Sequence, residues 1–324
     1  MCDEKHRGIP ANTSNILHTR AKQRYKTCLL PELERRVEAI SAEFNSQNVA
    51  NTLWAFATMG TKPGERLLGQ LERRAEAISG EFNSQEVANT LWAYATMGTK
   101  PGERMMGQLE RRAEAISGEF ISQNVANMLW AISFFRIQFN LAPRLYCALS
   151  CSLPSMEFDD QQSLCQLHQV FMSVNMIKDL HADLSLSVQT LKEKLGPSCQ
   201  AAFVGVPVHP SASQQQVSDT LRGMSLSVVD EFRCPKSGYS IDMRVHDMRV
   251  NAKSSTGAAA GWAVEFDGPS HFLTCRLPVG GTLMTRRHLE LLEYTVVSLP
   301  FWEWDELTGS DERKEYLRGK LHVS

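Results

Sequence analysis

The stretch Phe44–Gly60, FNSQNVANTLWAFATMG, returns almost letter for letter at Phe82–Gly98 as FNSQEVANTLWAYATMG and in part at Phe120–Phe135 as FISQNVANMLWAISFF, each copy 38 residues after the last. Self-similarity at a period of roughly 20 to 50 residues is the mark of stacked supersecondary units, none of which can bury its apolar face alone. Within a unit, Leu71, Ala75 and Ile78 recur at helical intervals, and Val87, Leu91, Tyr94 and Ala95 do so after the Phe-Asn-Ser-Gln turn. Each unit is therefore expected to be a helical hairpin, with Ser84 as the N-cap of its second helix and Gly60 and Lys62-Pro63-Gly64 stopping that helix before the next unit. Carrying the register forward exposes a degenerate fourth copy, Met156–Met172, in which His168 stands where the others carry Trp. A further step lands on Gly196-Pro197-Ser198, where the pattern breaks.

These signals divide the chain into an N-terminal segment at 1–29, an array of about four units at 30–196, a linker at 197–213 rich in Pro, Ser and Gln, and an α/β domain at 214–324. In the last region Val217–Met224 reads as a helix, Tyr239–Val245 as a strand and Ser254–Gly261 as a loop of small residues. Trp262–Phe266 and Thr295–Pro300 read as further strands, and Leu283–Tyr294 and Asp311–Leu321 as helices. Strands alternating with helices mark an α/β unit and not a continuation of the array.

Composition removes some functions. The net charge is −2, so phosphate contact must come from local Arg and Lys clusters and not from bulk attraction. No apolar run reaches the roughly 18 residues needed to span a bilayer, and no membrane role is expected. The eight cysteines lack C-x-x-C spacing, which argues against a disulfide framework. Cys147, Cys151, Cys165 and His168 are thinkable zinc ligands, against the commoner case of small buried thiols in helical hairpins. The N-terminal segment carries Arg20, Lys22, Arg24 and Lys26 but opens Cys2-Asp3-Glu4, a weak match to an acid-poor transit peptide. The array starts almost at once, as in a short family member or a truncated gene product.

AVEFDGPSHFL (Ala263–Leu273), followed by GGTLMTRRHLELLEYTVVSLPFWEWDEL and ERKEYLRGKL, resembles the RAP domain from about Asp230 to Leu321. The repeats resemble octatricopeptide repeats, and arrays of this kind with a terminal RAP domain are typical of organellar RNA factors, more distantly of the FAST kinase domain family. The resemblance implies an α-solenoid joined to a restriction-endonuclease-like domain. It also implies binding of single-stranded RNA in a chloroplast or mitochondrion, with roles in transcript stability, processing or translation, alongside other organellar RNA-processing proteins. No cofactor is expected unless the domain is a nuclease.

A nuclease needs hard oxygen ligands converging from adjacent strands to hold Mg²⁺. Asp242 on one strand and Glu265 and Asp267 on the next are the candidates, with His271 or Arg286 in place of the lysine of the Glu-x-Lys pattern that this chain lacks. The same acids also suit a turn at Asp267-Gly268-Pro269-Ser270 and bonds to backbone amides and Arg286. A third use of His271, Arg286 and Arg287 is to bind an RNA end or phosphate without cutting it.

Stacked hairpins place equivalent side chains in ladders, which suits one base per unit. Candidate readers are Gln47 and Asn48, Gln85 and Glu86, and Gln123 and Asn124, where only the second of each pair varies. Asn51, Asn89 and Asn127 fall among apolar residues and read as internal. Arg35-Arg36, Arg73-Arg74 and Arg111-Arg112 form a ladder suited to phosphates or, with Glu34, Glu72 and Glu110 beside them, a solvated face. Trp54, Trp92 and Trp130 read as core between units, although an indole can also stack a base. A protein-binding scaffold and a Mg²⁺-dependent endoribonuclease remain as other readings.

Overall fold

The computed structural model describes residues 30–140, 156–176, 186–247 and 261–322, with residues 145, 149 and 153. The segment 1–29, Cys147 and Cys151, and residues 254–260 of the small-residue loop lie outside the described residues. The chain is mostly helical in its first two thirds, followed by a small mixed α/β domain built on a four-stranded sheet.

The hairpins form as the repeat requires. The first helices are α1 (Leu30–Ile40), α3 (Glu65–Ala77) and α5 (Glu103–Ala115), and the second helices are α2 (Ser46–Thr58), α4 (Ser84–Thr96) and α6 (Ser122–Phe139). Second helices pack on one another in series, α2 on α4, α4 on α6 and α6 on α7 (Gln161–Met176), and first helices pack likewise, α1 on α3 and α3 on α5. One continuous core results, with Leu53, Phe56, Leu91, Tyr94, Leu129 and Phe134 fully buried.

Glycine sets the length of the second helices. Gly60 and Gly98 adopt φ of 64° and 66°, and each follows its helix in a Schellman closure: Thr61 N–H bonds Phe56 O at 3.0 Å and Gly60 N–H bonds Ala57 O at 3.1 Å, with Thr99 and Gly98 repeating the pair. At the third equivalent position stands Arg136, and α6 runs on to Phe139 before Asn140 turns left-handed at φ 51°. Loss of one glycine thus adds a turn of helix.

The expected break at Gly196-Pro197-Ser198 does not occur. Helix α8 (Leu186–Val204) passes through Pro197, and the extended segment between helices covers only residues 205–211 before α9 (Ala212–Gly223). A proline costs a helix one amide bond and a clash with the preceding turn, and α8, packed along α7, retains its course through it.

In the α/β domain, β1 (Leu226–Arg233), β2 (Ser240–Asp247) and β3 (Trp262–Asp267) pair antiparallel, and β4 (Thr295–Pro300) runs parallel to β3. Strand β1 escaped the sequence reading because its acidic Asp230 and Glu231 interrupt the apolar alternation; Glu231 is left-handed at φ 47° in a break of the β1–β2 register. One apolar cluster joins Met243, Val245, Val264 and Leu299 to Val217 and Leu221 of α9, Trp304 of α11 (Phe301–Asp305) and Leu317 of α12 (Ser310–Leu321). A second joins Tyr239, Ile241 and Ala263 to Leu289 of α10 (Gly280–Leu291). Helix α10 also packs on α4, α6 and α7, so the array and the α/β domain share it.

Candidate nucleic-acid interface

The starts of the second helices expose one polar residue per unit. Asn45 and Asn83, not the expected Ser84, are the N-caps: the Asn45 side chain accepts from Asn48 N–H at 2.9 Å while the Asn48 side chain accepts from Asn45 N–H at 3.3 Å, and Asn83 and Glu86 repeat the exchange at 2.9 Å each way. Asn48, Glu86 and Asn124 are buried by this role, which corrects their place among the base readers. It also explains why Asn and Glu alternate there, since either side chain completes the box. Gln47, Gln85 and Gln123 remain exposed.

The arginine ladder divides in two. Arg74 Nε donates to Phe44 O at 2.5 Å and Arg112 Nε to Phe82 O at 2.6 Å, so the second member of each pair ties its helix to the turn of the unit before. Arg36, with no described unit before it, bonds Glu32 at 3.3 Å, and Arg35 also bonds Glu32. Arg73 and Arg111 are exposed. Glu34 accepts from Gly64 N–H, and Glu72 from Gly102 N–H at 3.0 Å, each holding the start of the next unit's first helix. The acids beside the arginines are therefore joints between units.

The tryptophans pack against the array core, Trp54 and Trp92 half-buried and Trp130 buried, its Nε1 donating to Gln169 Oε1 at 2.7 Å. Asn127 is buried and accepts from Gln166 at 3.0 Å, while Asn51 and Asn89 are half-buried. His168 stacks on Phe203 at 4.5 Å and meets Ser237 O at 2.7 Å. The Trp-to-His change in the fourth copy thus serves contact with the α/β domain. Cys165 and His168 join no metal-binding group among the described residues.

At the C-terminal end of β3, four acids share one region. Asp267 is 1% exposed; its Oδ2 accepts from Arg286 Nη2 at 2.7 Å and from Ser298 Oγ, and its Oδ1 lies 3.2 Å from His271 Nδ1. Asp242 accepts from Phe266 N–H at 2.8 Å, beyond the point where the β2–β3 register ends at Met243 and Val264. Burial raises the Asp242 carboxyl to about 7 against the pull of that amide, with the charges of Glu231 and Asp267 adding to the rise. Burial, then Asp242 and Asp267, hold Glu265 well above the ordinary carboxylate range, and its Oε1 is sealed without a hydrogen-bond partner.

This donor set does not fit Mg²⁺. Among the described residues no three His, Cys, Asp or Glu side chains converge as a metal cage. A hard cation needs carboxylate oxygens that are ionised and free, whereas Asp267 is occupied on both oxygens, Asp242 closes a backbone amide and Glu265 favours its proton. Ser298, which joins Asp267 to Arg286 at 2.7 Å, was missed from sequence; its one signal is a hydroxyl within the apolar run Thr295–Pro300. Arg287 is exposed beside Glu290 at 3.2 Å, on a cleft of about 460 Å³ shared with Ile137 and Gln138 of the array.

The loop after β3 lies along the array. Thr274 N–H bonds Gly60 O at 2.8 Å, and Gly280 meets the Ala95 carbonyl so closely that a Cβ would overlap it. A cavity of about 540 Å³ opens between the two parts, lined by Thr58, Trp92, Thr96, Pro269, Ser270 and Phe272 among others. On its far side the same loop borders a second cavity of about 400 Å³ with Asp242, His271, Ser211 and Gln214.

A helical array whose side carries a small α/β domain with this strand, turn and arginine helix defines a RAP-domain protein, and the RAP domain family matches residues 264–320. The family described as RNA-editing substrate-binding complex 6 protein matches residues 16–202, more than half of the chain, and the chain belongs to that family. A RAP domain-containing protein, chloroplastic, of Oryza sativa subsp. japonica is 35% identical over 82 residues, which are 25% of this chain and 11% of that protein. The chain therefore matches about a tenth of that relative's length. The relative's chloroplastic address agrees with the organellar placement expected from sequence. No helix among the described residues is long and apolar enough to cross a membrane.

Proposed function

We propose that the chain is an organellar RNA-binding factor that holds single-stranded RNA along the repeated edge of its helical array and acts in transcript stability, processing or translation. The array is read as an α-solenoid of octatricopeptide type and the RAP domain as restriction-endonuclease-like in architecture, in a chloroplast or a mitochondrion, beside other organellar RNA-processing proteins. The observation that carries the reading is the division of labour within each unit: once capping and tying residues are set aside, Gln47, Gln85 and Gln123 stay exposed at helix starts and Arg73 and Arg111 at the ends of first helices. Helix N-termini favour anions, amides can pair base edges, and guanidinium groups pair phosphates. Because the three glutamines are identical, the units prefer like bases.

Filter binding of the full chain to single-stranded RNA over a salt series tests this. Binding should weaken with salt, and Arg73→Ala with Arg111→Ala should lower the slope by about 0.7 per lost phosphate contact. No binding at low salt would leave the protein-scaffold reading instead. The endoribonuclease reading rests on the unpartnered Glu265 Oε1 alone. Absence of Mg²⁺-dependent cleavage by the wild type removes it, and loss of cleavage in Asp267→Asn would restore it.

A further inference from the structure

The cavity between the array and the RAP domain has the chemistry of a stacking site. Trp92 is the tryptophan of the middle unit, and its ladder partner Trp130 is closed off by Gln169, whereas Trp92 borders open space of about 540 Å³. Opposite it stands Phe272, which meets Trp302 at 4.4 Å between ring centroids, and the exposed Arg276 guanidinium lies 5.0 Å over the Trp302 ring. Arg276 forms no ion pair among the described residues and sits left-handed at φ 64°, a conformation that a side chain other than glycine holds at a cost. Within the cavity, Thr58 Oγ1 has no hydrogen-bond partner, and Thr96 and Ser270 add hydroxyls. No acid lines it.

We infer that this cavity binds one unpaired nucleobase of the RNA, stacked on the Trp92 indole, with its phosphate at Arg276; the inference rests on the RNA-binding reading. Aromatic walls, unpaired hydroxyls and a cation at the rim are what a base on a charged backbone requires. A volume of this size admits one base and its ribose, within the usual range for ligand sites. An apolar peptide side chain would leave the Thr58 hydroxyl unpaired and would give Arg276 nothing to neutralise. The site is composite: Thr58, Trp92 and Thr96 come from two successive hairpins, Pro269, Ser270 and Phe272 from the RAP domain. An isolated array lacks it.

The test uses the full chain and short single-stranded RNAs carrying 2-aminopurine at successive positions. Wild-type protein should quench one position strongly, by stacking. Ser270→Trp fills the cavity from an exposed loop position without touching the core; it should abolish that quench and weaken binding about tenfold while leaving the salt slope unchanged. Trp92→Phe should retain part of the quench. Wild-type affinity and quench in Ser270→Trp would overturn the cavity site while RNA binding along the array stands. Failure of the wild type to bind any RNA would overturn both.

Discussion

The joints within the array and the joint between the array and the RAP domain are built on opposite principles. Between units the same contacts recur 38 residues apart, Glu34 to Gly64 and Glu72 to Gly102, Arg74 to Phe44 and Arg112 to Phe82. The joint to the RAP domain uses residues found once: Gly280 against Ala95, His168 against Ser237, His288 between Ser173 and Tyr239. A repeated joint is solved once and copied, and its parts are interchangeable. A unique joint has no second copy to share its load, so each of its residues should matter more.

The largest effect is therefore expected at Gly280. Its Cα approaches the Ala95 carbonyl at the first turn of α10, and the neighbouring obstacle is backbone, which cannot rotate away. Gly280→Ala should cost about 3 kcal/mol, the upper part of the range for overpacking. Calorimetry should then resolve a separate melting of the RAP domain, and limited proteolysis should release it. A single unaltered transition would show that the joint yields freely and would undo the contrast.

Next comes the buried polar chain at the same joint. Gln169 Nε2 donates to the Tyr239 hydroxyl at 3.2 Å, Tyr239 donates to His288 Nδ1 at 2.8 Å, and His288 Nε2 donates to Ser173 Oγ at 3.0 Å, which donates to Gln169 O at 2.8 Å. The donors agree in direction only if His288 is neutral with its proton on Nε2. Tyr239→Phe strands two buried groups and should cost about 2 kcal/mol. Burial also drives His288 down to about 3 from an ordinary 6.5. The unfolded chain takes up this proton first, so the group's contribution is complete above pH 6.5 and drains away as pH falls from 6.5 toward 3. Melting temperature should drop through that window in the wild type, and much less in His288→Phe; equal drops would move the effect elsewhere.

The repeated joints give a smaller and more regular result. Arg74→Ala and Arg112→Ala each remove a hydrogen bond from a charged donor to a carbonyl and should each cost about 1.5 kcal/mol. Their near-equality is the sharper prediction. Arg36→Ala, at the same register but paired only with exposed Glu32, should change stability little. Unequal losses at Arg74 and Arg112, seen as different shifts in urea midpoint, would show that the copies are not equivalent.

The same contrast decides what could be read from sequence. Copied features announce themselves: hairpins, their turns and the glycine stops follow from the 38-residue register, and the β3 and β4 strands from apolar runs. The use of Asn48, Glu86, Arg74 and Arg112 did not follow, because a cap and a base reader look alike until the partner, three or thirty residues away, is in place. The acids were found as residues but not as partners. Asp242 meets the Phe266 amide across 24 positions and Asp267 meets Arg286 across 19, distances over which no pattern runs. His168 was visible only as a departure from the repeat, and Gly280 only as one more glycine.

The smallest effect tests whether a copied joint can be repaired. The third unit carries Ile121 where the others carry Asn45 and Asn83, so α6 has half a capping box: Asn124 Oδ1 accepts from Ile121 N–H at 3.4 Å, and no side chain accepts from Asn124 N–H in return. Ile121 is 61% exposed, so its side chain gains little from burial where it stands. Ile121→Asn restores the acceptor at a backbone already extended, φ −87° and ψ 164°, close to the −84° and 177° of both intact caps. The gain should be about 1 kcal/mol in urea unfolding. In Asn124→Ala, which removes the other half of the box, the same substitution should return less, because one arm of the exchange stays open. A loss of stability in Ile121→Asn would mean that the exposed isoleucine is held by something the repeat itself does not contain, and the third unit would then belong with the unique joint instead of the copied ones.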